Sequence, residues 1–267
     1  MKKLLLFSAL LTGFVCYAQE TKQLKKVLEL PIPREGGVRA AQVAWHPLQK
    51  KYYAAMAGNT SFCLAVFDIK GKRLTPSSQE TMFDIRGLWY NPNKKTLQMN
   101  GYNDFGWAEY KLDAKGFPTS AQTLFDGMNQ PSEQSVGAFE PKSKQLYFFD
   151  GEGALDYYDA STATYTDKLP LHLGITEADD DGSSSNVDVY MDYNYTTVVY
   201  TGMKKAEFGL LNFNLRQIEL YNAENGYLTK IYTLPDDAPA EDMLCFSYAN
   251  GIFWLFDRNE RIWKGYK

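Results

Sequence analysis

The 267-residue sequence is poor in cysteine and in histidine, and it carries no excess of positive charge. Its three cysteines, Cys16, Cys63 and Cys245, are scattered, and the two that survive removal of the leader described below make no disulfide framework. Cys63 and Cys245 read as small buried hydrophobes. The two histidines, His46 and His172, stand in different parts of the chain and give zinc no ligand set. Lys and Arg total 28 against 32 Asp and Glu. A nucleic-acid partner asks for clustered basic residues, so this balance argues against one. There is no Gly-x-Ser-x-Gly elbow, no phosphate loop and no dinucleotide fingerprint; Gly36-Gly37 and Gly151-Glu152-Gly153 read as short turns. Long apolar runs are missing after the first residues, which excludes a transmembrane helix.

The opening run has its own meaning. Lys2 and Lys3, the apolar stretch from Leu4 to Val15, and Cys16-Tyr17-Ala18 before Gln19 read as an export signal over residues 1–18. The expected destination is the periplasm, the surface or the medium. Gly13-Phe14-Val15-Cys16 lacks the Leu and the small residue that lipidation of Cys16 needs. Loss of Lys2 and Lys3 takes the 28 basic residues to 26 against 32 acidic, a net charge of −6. Residues 19–267 are expected to form one monomeric domain.

Within that domain an aromatic followed by a turn recurs: Trp45-His46-Pro47, Trp89-Tyr90-Asn91-Pro92, Phe139-Glu140-Pro141, Met191-Asp192-Tyr193-Asn194 and Phe246 to Gly251. After each comes a short aromatic strand: Lys51 to Met56, Thr96 to Asn100, Gln145 to Asp150, Thr196 to Thr201, Ile252 to Asp257. A second alternating strand follows, as in Leu64 to Asp68, Trp107 to Tyr110, Leu155 to Asp159, Ile218 to Tyr221 and Ile262-Trp263. Gly71, Gly116 and Gly226 close the turns behind several of these. Five units of about fifty residues, each a four-stranded antiparallel meander, account for the chain. The last unit runs out of residues after Trp263, while Leu24 to Ile32 is a strand without a unit. That segment is expected to complete the last sheet and close the ring.

The segments Val66-Phe67-Asp68-Ile69-Lys70-Gly71 and Ile218 to Leu228 carry a resemblance to the β-propeller superfamily, in particular the extracytoplasmic propellers of the YVTN and NHL types. The fold class implied is all-β, a five-bladed propeller closed by its N-terminal strand. The alternative is six blades, with the long fourth unit divided.

The resemblance also implies a working face. In propellers the blade-to-blade loops and the loops between second and third strands emerge together, and the first strand of each blade lines the channel. The fourth unit departs most from the repeat. Thr176 to Asn186 precedes it, and Met203 to Arg216 reads as an enlarged loop between its second and third strands, with Phe208 exposed on it. Positions just ahead of the inner strands give a polar ring: Arg39 and Gln42, Asp84 and Arg86, Glu133 and Gln134, Asn186 and Asp188, Glu241 and Asp242. Tyr102, with Phe105 and Trp107, adds an aromatic loop suited to sugar stacking or protein contact. The candidate ligand site is therefore Arg39, Asp84, Arg86, Glu133, Gln134, Asn186, Asp188, Asp242, Tyr102 and Phe208.

The function expected is binding or scaffolding of a protein or glycan ligand at this face. A glycan-active hydrolase using Asp84, Glu133, Asp188 and Asp242 is the alternative, but no signature of such enzymes surrounds them, so no catalytic residue is assigned. A structural part of an envelope complex is a third reading. No cofactor is expected; Asp179-Asp180-Asp181-Gly182-Ser183 offers calcium some oxygens, without the final Glu of an EF-hand. Trp45, Trp89 and Phe139 are expected to pack between blades.

Overall fold

A computed structural model describes residues 21–74, 80–180, 182 and 189–267. The leader expected at residues 1–18 lies outside the described residues. Two N-terminal strands, β1 (Thr21–Gln23) and β2 (Lys26–Pro31), precede five sheets laid down in succession. Blade one holds β3 (Ala40–His46), β4 (Lys51–Met56) and β5 (Ala65–Asp68). Blade two holds β6 (Ile85–Asn91), β7 (Thr96–Gly101), β8 (Trp107–Leu112) and β9 (Pro118–Phe125). Blade three is β10 (Ala138–Glu140), β11 (Gln145–Phe149), β12 (Ala154–Asp159) and β13 (Thr164–Pro170). Blade four is β14 (Val199–Met203), β15 (Ala206–Asn212), β16 (Gln217–Tyr221) and β17 (Leu228–Thr233). Blade five is β18 (Phe246–Ala249), β19 (Ile252–Asp257) and β20 (Ile262–Tyr266).

The first strands β3, β6, β10, β14 and β18 touch one another in cyclic order, so the protein is a five-bladed β-propeller. The ring closes as the sequence implies: β2 pairs antiparallel with β20, with Leu30 opposite Trp263. Leu30 is fully buried, whereas its neighbours Glu29 and Pro31 face water. An unforeseen addition is β1, which pairs in parallel with β17 and ties blade four to blade five through the same N-terminal chain.

Burial grades outward from the channel. The inner strands β3 and β6 are buried on both faces, while the outer strand β13 is almost wholly exposed. Aspartates fix the turns, because a short carboxylate can accept amides two to four residues on. Asp68 Oδ1 accepts from the amides of Lys70 (2.8 Å) and Lys72 (3.0 Å), and Asp113 Oδ1 does the same for Lys115 and Phe117, both at 2.8 Å. Trp89 stands 6.1 Å from Phe139 and 6.5 Å from Trp107, which makes it a wedge between blades two and three.

Innermost strands have one edge paired within the blade and one edge turned to the channel, where buried backbone groups left without partners cost free energy. Each blade solves this for a neighbour. The Ser247 hydroxyl of blade five accepts from Val43 N (3.1 Å) and donates to Val43 O (3.0 Å) in blade one. Gln42 of blade one accepts from Leu88 N at 2.6 Å, and Asn100 of blade two accepts from Gly137 N at 3.1 Å. Val136 N donates to Thr196 O at 2.8 Å, and Leu244 N donates to the Thr196 hydroxyl at 3.0 Å. Glycine is required where blades two and three meet: a Cβ on Gly87 would lie 2.1 Å from Asn100 Oδ1 and 2.7 Å from Gly137 N.

Blade four corrects the reading of the sequence. Thr196 to Thr201 does not form a second strand; its last residues begin β14, the inner strand. Met203 to Arg216 is not an enlarged loop either. It contains the tight turn Lys204-Lys205 and the whole of β15. Phe208 is consequently a core residue, 1% exposed and 4.7 Å from the Tyr147 ring. The misreading has a physical source: Val189–Asp192 is a 3-10 turn ahead of the blade, and its polar-aromatic composition mimics the turns found elsewhere after inner strands.

Candidate functional site

Because all five inner strands run in the same sense, one end of the channel collects the blade-to-blade connections and the loops between second and third strands. Five of the residues singled out in the sequence meet there. Arg86, only 5% exposed, donates to both carboxylate oxygens of Asp84 and, from Nε, to Gln134 Oε1 at 2.8 Å. The Tyr102 ring lies under the guanidinium, with 4.6 Å from its centroid to Cζ. A hydrogen bond to Glu133, with some burial, pushes the Tyr102 hydroxyl above its ordinary range. Asp84 also accepts from Gly58 N at 2.6 Å. Arg86 is buried and Asp84 half-buried, and each makes further hydrogen bonds beyond the pair, which is the condition for tolerating charges drawn out of water. The pair fixes the connection into blade two against the connection into blade three.

The other sequence candidates are placed apart from it. Arg39 is exposed at the start of blade one. Asp242 is exposed on the connection between blades four and five, and its carbonyl accepts from Tyr195 N at 3.0 Å. Asn186 and Asp188 lie outside the described residues, and the positions just ahead of β14 belong to Asn194, Tyr195, Thr196 and Thr197. Phe208 is buried in blade four, as above.

Asp242 opens onto a cleft of about 540 Å³ that the sequence did not disclose, lined by Ser132, Asp150, Glu152, Tyr190, Tyr195 and Phe213 among others. Tyr195 is 43% exposed and Met191 61% exposed at its edge. The Glu152 and Asp242 carboxylates take no partner among the described residues. Asp150 is different. Burial opposes its ionisation, but Lys168 at 2.8 Å and the amides of Glu152 and Ala154 outweigh it and hold the carboxyl below its usual range. The segment 132–134 borders both the Arg86 cluster and this cleft. The signal for it in the sequence was the Asp150 to Gly153 loop, passed over as a mere turn.

Chemically, the cleft offers aromatic faces beside free carboxylates. Of the four carboxylates named for hydrolysis, Asp84 is bound to Arg86, Glu133 hydrogen-bonds to Tyr102, Asp242 lines the separate cleft, and Asp188 lies outside the described residues. Glu241, raised by burial, is ion-paired with Arg258 at 2.5 Å. In the acidic loop, Asp180 accepts from the Tyr227 hydroxyl at 2.5 Å and Asp179 from the Thr176 hydroxyl at 2.5 Å. Among the described residues no three His, Cys, Asp or Glu side chains gather as a metal ion requires; Asp181 and Ser183 lie outside them. His46 is buried against the Tyr90 ring at 4.0 Å.

No protein-family model matches the chain, and no curated protein sequence matches it. Solved structures do. The glutaminyl cyclase of Myxococcus xanthus is similar over 94% of this chain and 98% of its own, with a TM-score of 0.55 at 6% identity. The Cps50 (Swd1) β-propeller domain of Myceliophteria thermophila is similar over 85% of this chain and 82% of its own, with a TM-score of 0.44 at 10% identity. At such identities the likeness concerns the fold alone.

Proposed function

We propose that the protein is an exported binding module whose channel-mouth cleft holds a polypeptide segment bearing basic side chains. The observation that supports this reading is the cleft itself: Tyr190, Tyr195 and Phe213 surround a space into which Glu152 and Asp242 bring uncommitted negative charge. A cation over an aromatic face is attracted by the ring quadrupole, by about 0.5–1 kcal/mol at exposed sites and about 2 kcal/mol when desolvated. Neighbouring carboxylates add to that attraction and raise the rate of encounter. The Asp84–Arg86 pair serves as a brace for the connections beside the cleft, not as a contact with the ligand. Export is part of the proposal and rests on the composition of residues 1–18.

The test is isothermal titration of the purified protein against lysine- and arginine-bearing peptides, matched acidic peptides and neutral oligosaccharides. Basic peptides should bind, and Tyr195→Ala or Asp242→Asn should weaken them by about tenfold, the usual scale for a contact residue. Preference for neutral oligosaccharides, or binding indifferent to both substitutions, overturns the reading.

A further inference from the structure

The opposite end of the channel is a distinct surface. There the five inner strands turn back into their second strands, through Pro47 to Lys50, Pro92 to Lys95, Pro141 to Lys144, Lys204-Lys205 and Asn250-Gly251. Seven lysines stand exposed on these turns: Lys50, Lys94, Lys95, Lys142, Lys144, Lys204 and Lys205. None of them forms an ion pair among the described residues. A chain with more acidic than basic residues overall has therefore gathered seven lysines on one face, where the carboxylates of Glu140, beside Lys142, and Glu207, on the Lys205 amide, offset part of the charge.

The last residue of four of these turns is a lysine in the left-handed conformation, with φ of 50° at Lys50, 58° at Lys95, 60° at Lys144 and 62° at Lys205; in blade five Asn250 (58°) and Gly251 (71°) both have positive φ. Glycine and asparagine suit that region, and a lysine gains nothing from it conformationally. Blade five uses the residue that the backbone prefers; four blades use lysine instead. Left-handed basic residues also close turns at the opposite mouth, Arg216 (φ 54°) and Arg261 (φ 58°), so it is the number of lysines gathered here, and not their φ, that sets this face apart.

Inside the ring of lysines a pit of about 250 Å³ opens on the channel axis, lined by residues from all five inner strands. Trp45, Tyr90, Tyr200 and Tyr248 contribute rings to it, and Asn250 a polar edge. Aromatic faces next to amide groups accept the C–H faces and hydroxyls of a sugar, while lysines spaced around the rim meet anionic groups repeated along a chain. We infer that this face binds an acidic polysaccharide, carboxylated or sulfated, with one sugar unit in the pit and its neighbours on the lysine turns. A lipid surface is disfavoured by the turn tips. Among non-proline side chains they carry one apolar group, Leu48, and an interfacial anchor needs more. This inference is independent of the cleft at the other mouth.

The experiment measures binding of the purified protein to polygalacturonate and heparin, with neutral dextran as control, over a salt series. Both acidic polymers should bind, more weakly as salt rises, and dextran should not. Combining Lys50→Asn, Lys95→Asn, Lys144→Asn and Lys205→Asn suits the backbone, so the melting temperature should hold while affinity falls at least about tenfold, each exposed ion pair being worth a factor of about two to five. A second variant, Lys94→Gln with Lys142→Gln and Lys204→Gln, changes charge outside the left-handed positions and should lose binding in the same way. Undiminished affinity in both variants overturns the proposal. So does equal affinity for phosphatidylglycerol vesicles or for a poly-dT strand of matched charge, since that would show general attraction to anions and no reading of sugar.

Discussion

Ser247 offers the sharpest test of how the ring holds together. It is fully buried, and its hydroxyl serves both backbone groups of Val43 across the junction of blades five and one. Ser247→Ala removes little volume but orphans a donor and an acceptor at once. Each orphaned buried group costs about 1–3 kcal/mol, so the substitution should destabilise by about 2–6 kcal/mol. For a domain of this size a kilocalorie moves the melting temperature by about 2–4 °C, which places the fall at roughly 4–24 °C. Urea denaturation should show a lower midpoint at unchanged slope, because the surface exposed on unfolding is the same. Ser120→Ala, on the exposed outer strand β9, is the matched control and should change stability by less than about 0.5 kcal/mol. If Ser247→Ala unfolds at the wild-type midpoint, the cross-blade hydroxyl is not what satisfies the channel-facing edge of β3, and the account of closure fails.

Asp84→Asn leaves the Arg86 guanidinium buried without its counter-charge and should cost about 3 kcal/mol by urea denaturation; a neutral outcome would mean that the pair braces nothing. Glu140 is held below its ordinary pKa: burial opposes this, but hydrogen bonds from Ser143, Tyr147 and Tyr200 prevail. The stabilisation it gives is therefore complete above its unperturbed value of 4.5 and lost as pH falls through the folded-state value. Glu140→Gln should flatten the decline of the urea midpoint below that pH, and an unchanged decline would assign acid sensitivity elsewhere. Burial pushes the Cys245 thiol up to about 12, while Cys63 is half-buried. Peptide mapping after maleimide treatment at pH 8 should find Cys63 labelled and Cys245 spared until urea is added; equal rates would contradict the packing of blade five.

The repeat was legible because its signals are local. Alternating strands and aspartate turns declare themselves within ten residues, so four of the five second strands and the closing role of Leu24 to Ile32 stand where the pattern placed them. Blade four was misread for the same reason. Val189–Asp192 has the local look of a turn after an inner strand, and only its packing ahead of β14 shows otherwise. Asp84, Arg86, Tyr102, Glu133 and Gln134 were each visible as polar or aromatic residues near a channel mouth. That three of them satisfy one guanidinium was not, since Arg86 and Gln134 are brought together by the meeting of two connections. The cleft was missed because it draws residues from five separate segments, around Ser132, Asp150, Tyr190, Phe213 and Asp242, none of which is unusual alone.

What the amino-acid order indicates by itself is a five-unit repeat, with division of the fourth unit into a sixth blade left open, the second strand in four units of five, and the strand that joins the ends. These follow from the two-residue period of a half-buried strand and from turn chemistry, both properties of neighbouring residues. Tertiary structure alone decided which polar side chains are spent on holding the ring and which remain free at its two mouths. Gln42, Asn100, Thr196 and Ser247 look like candidate ligand contacts in a string of letters, yet in the closed ring they satisfy backbone groups of adjoining blades. A buried edge must find its partners somewhere, and here those partners come from the next blade, 37 to 48 residues away along the chain at three junctions and 204 away where Ser247 closes the ring.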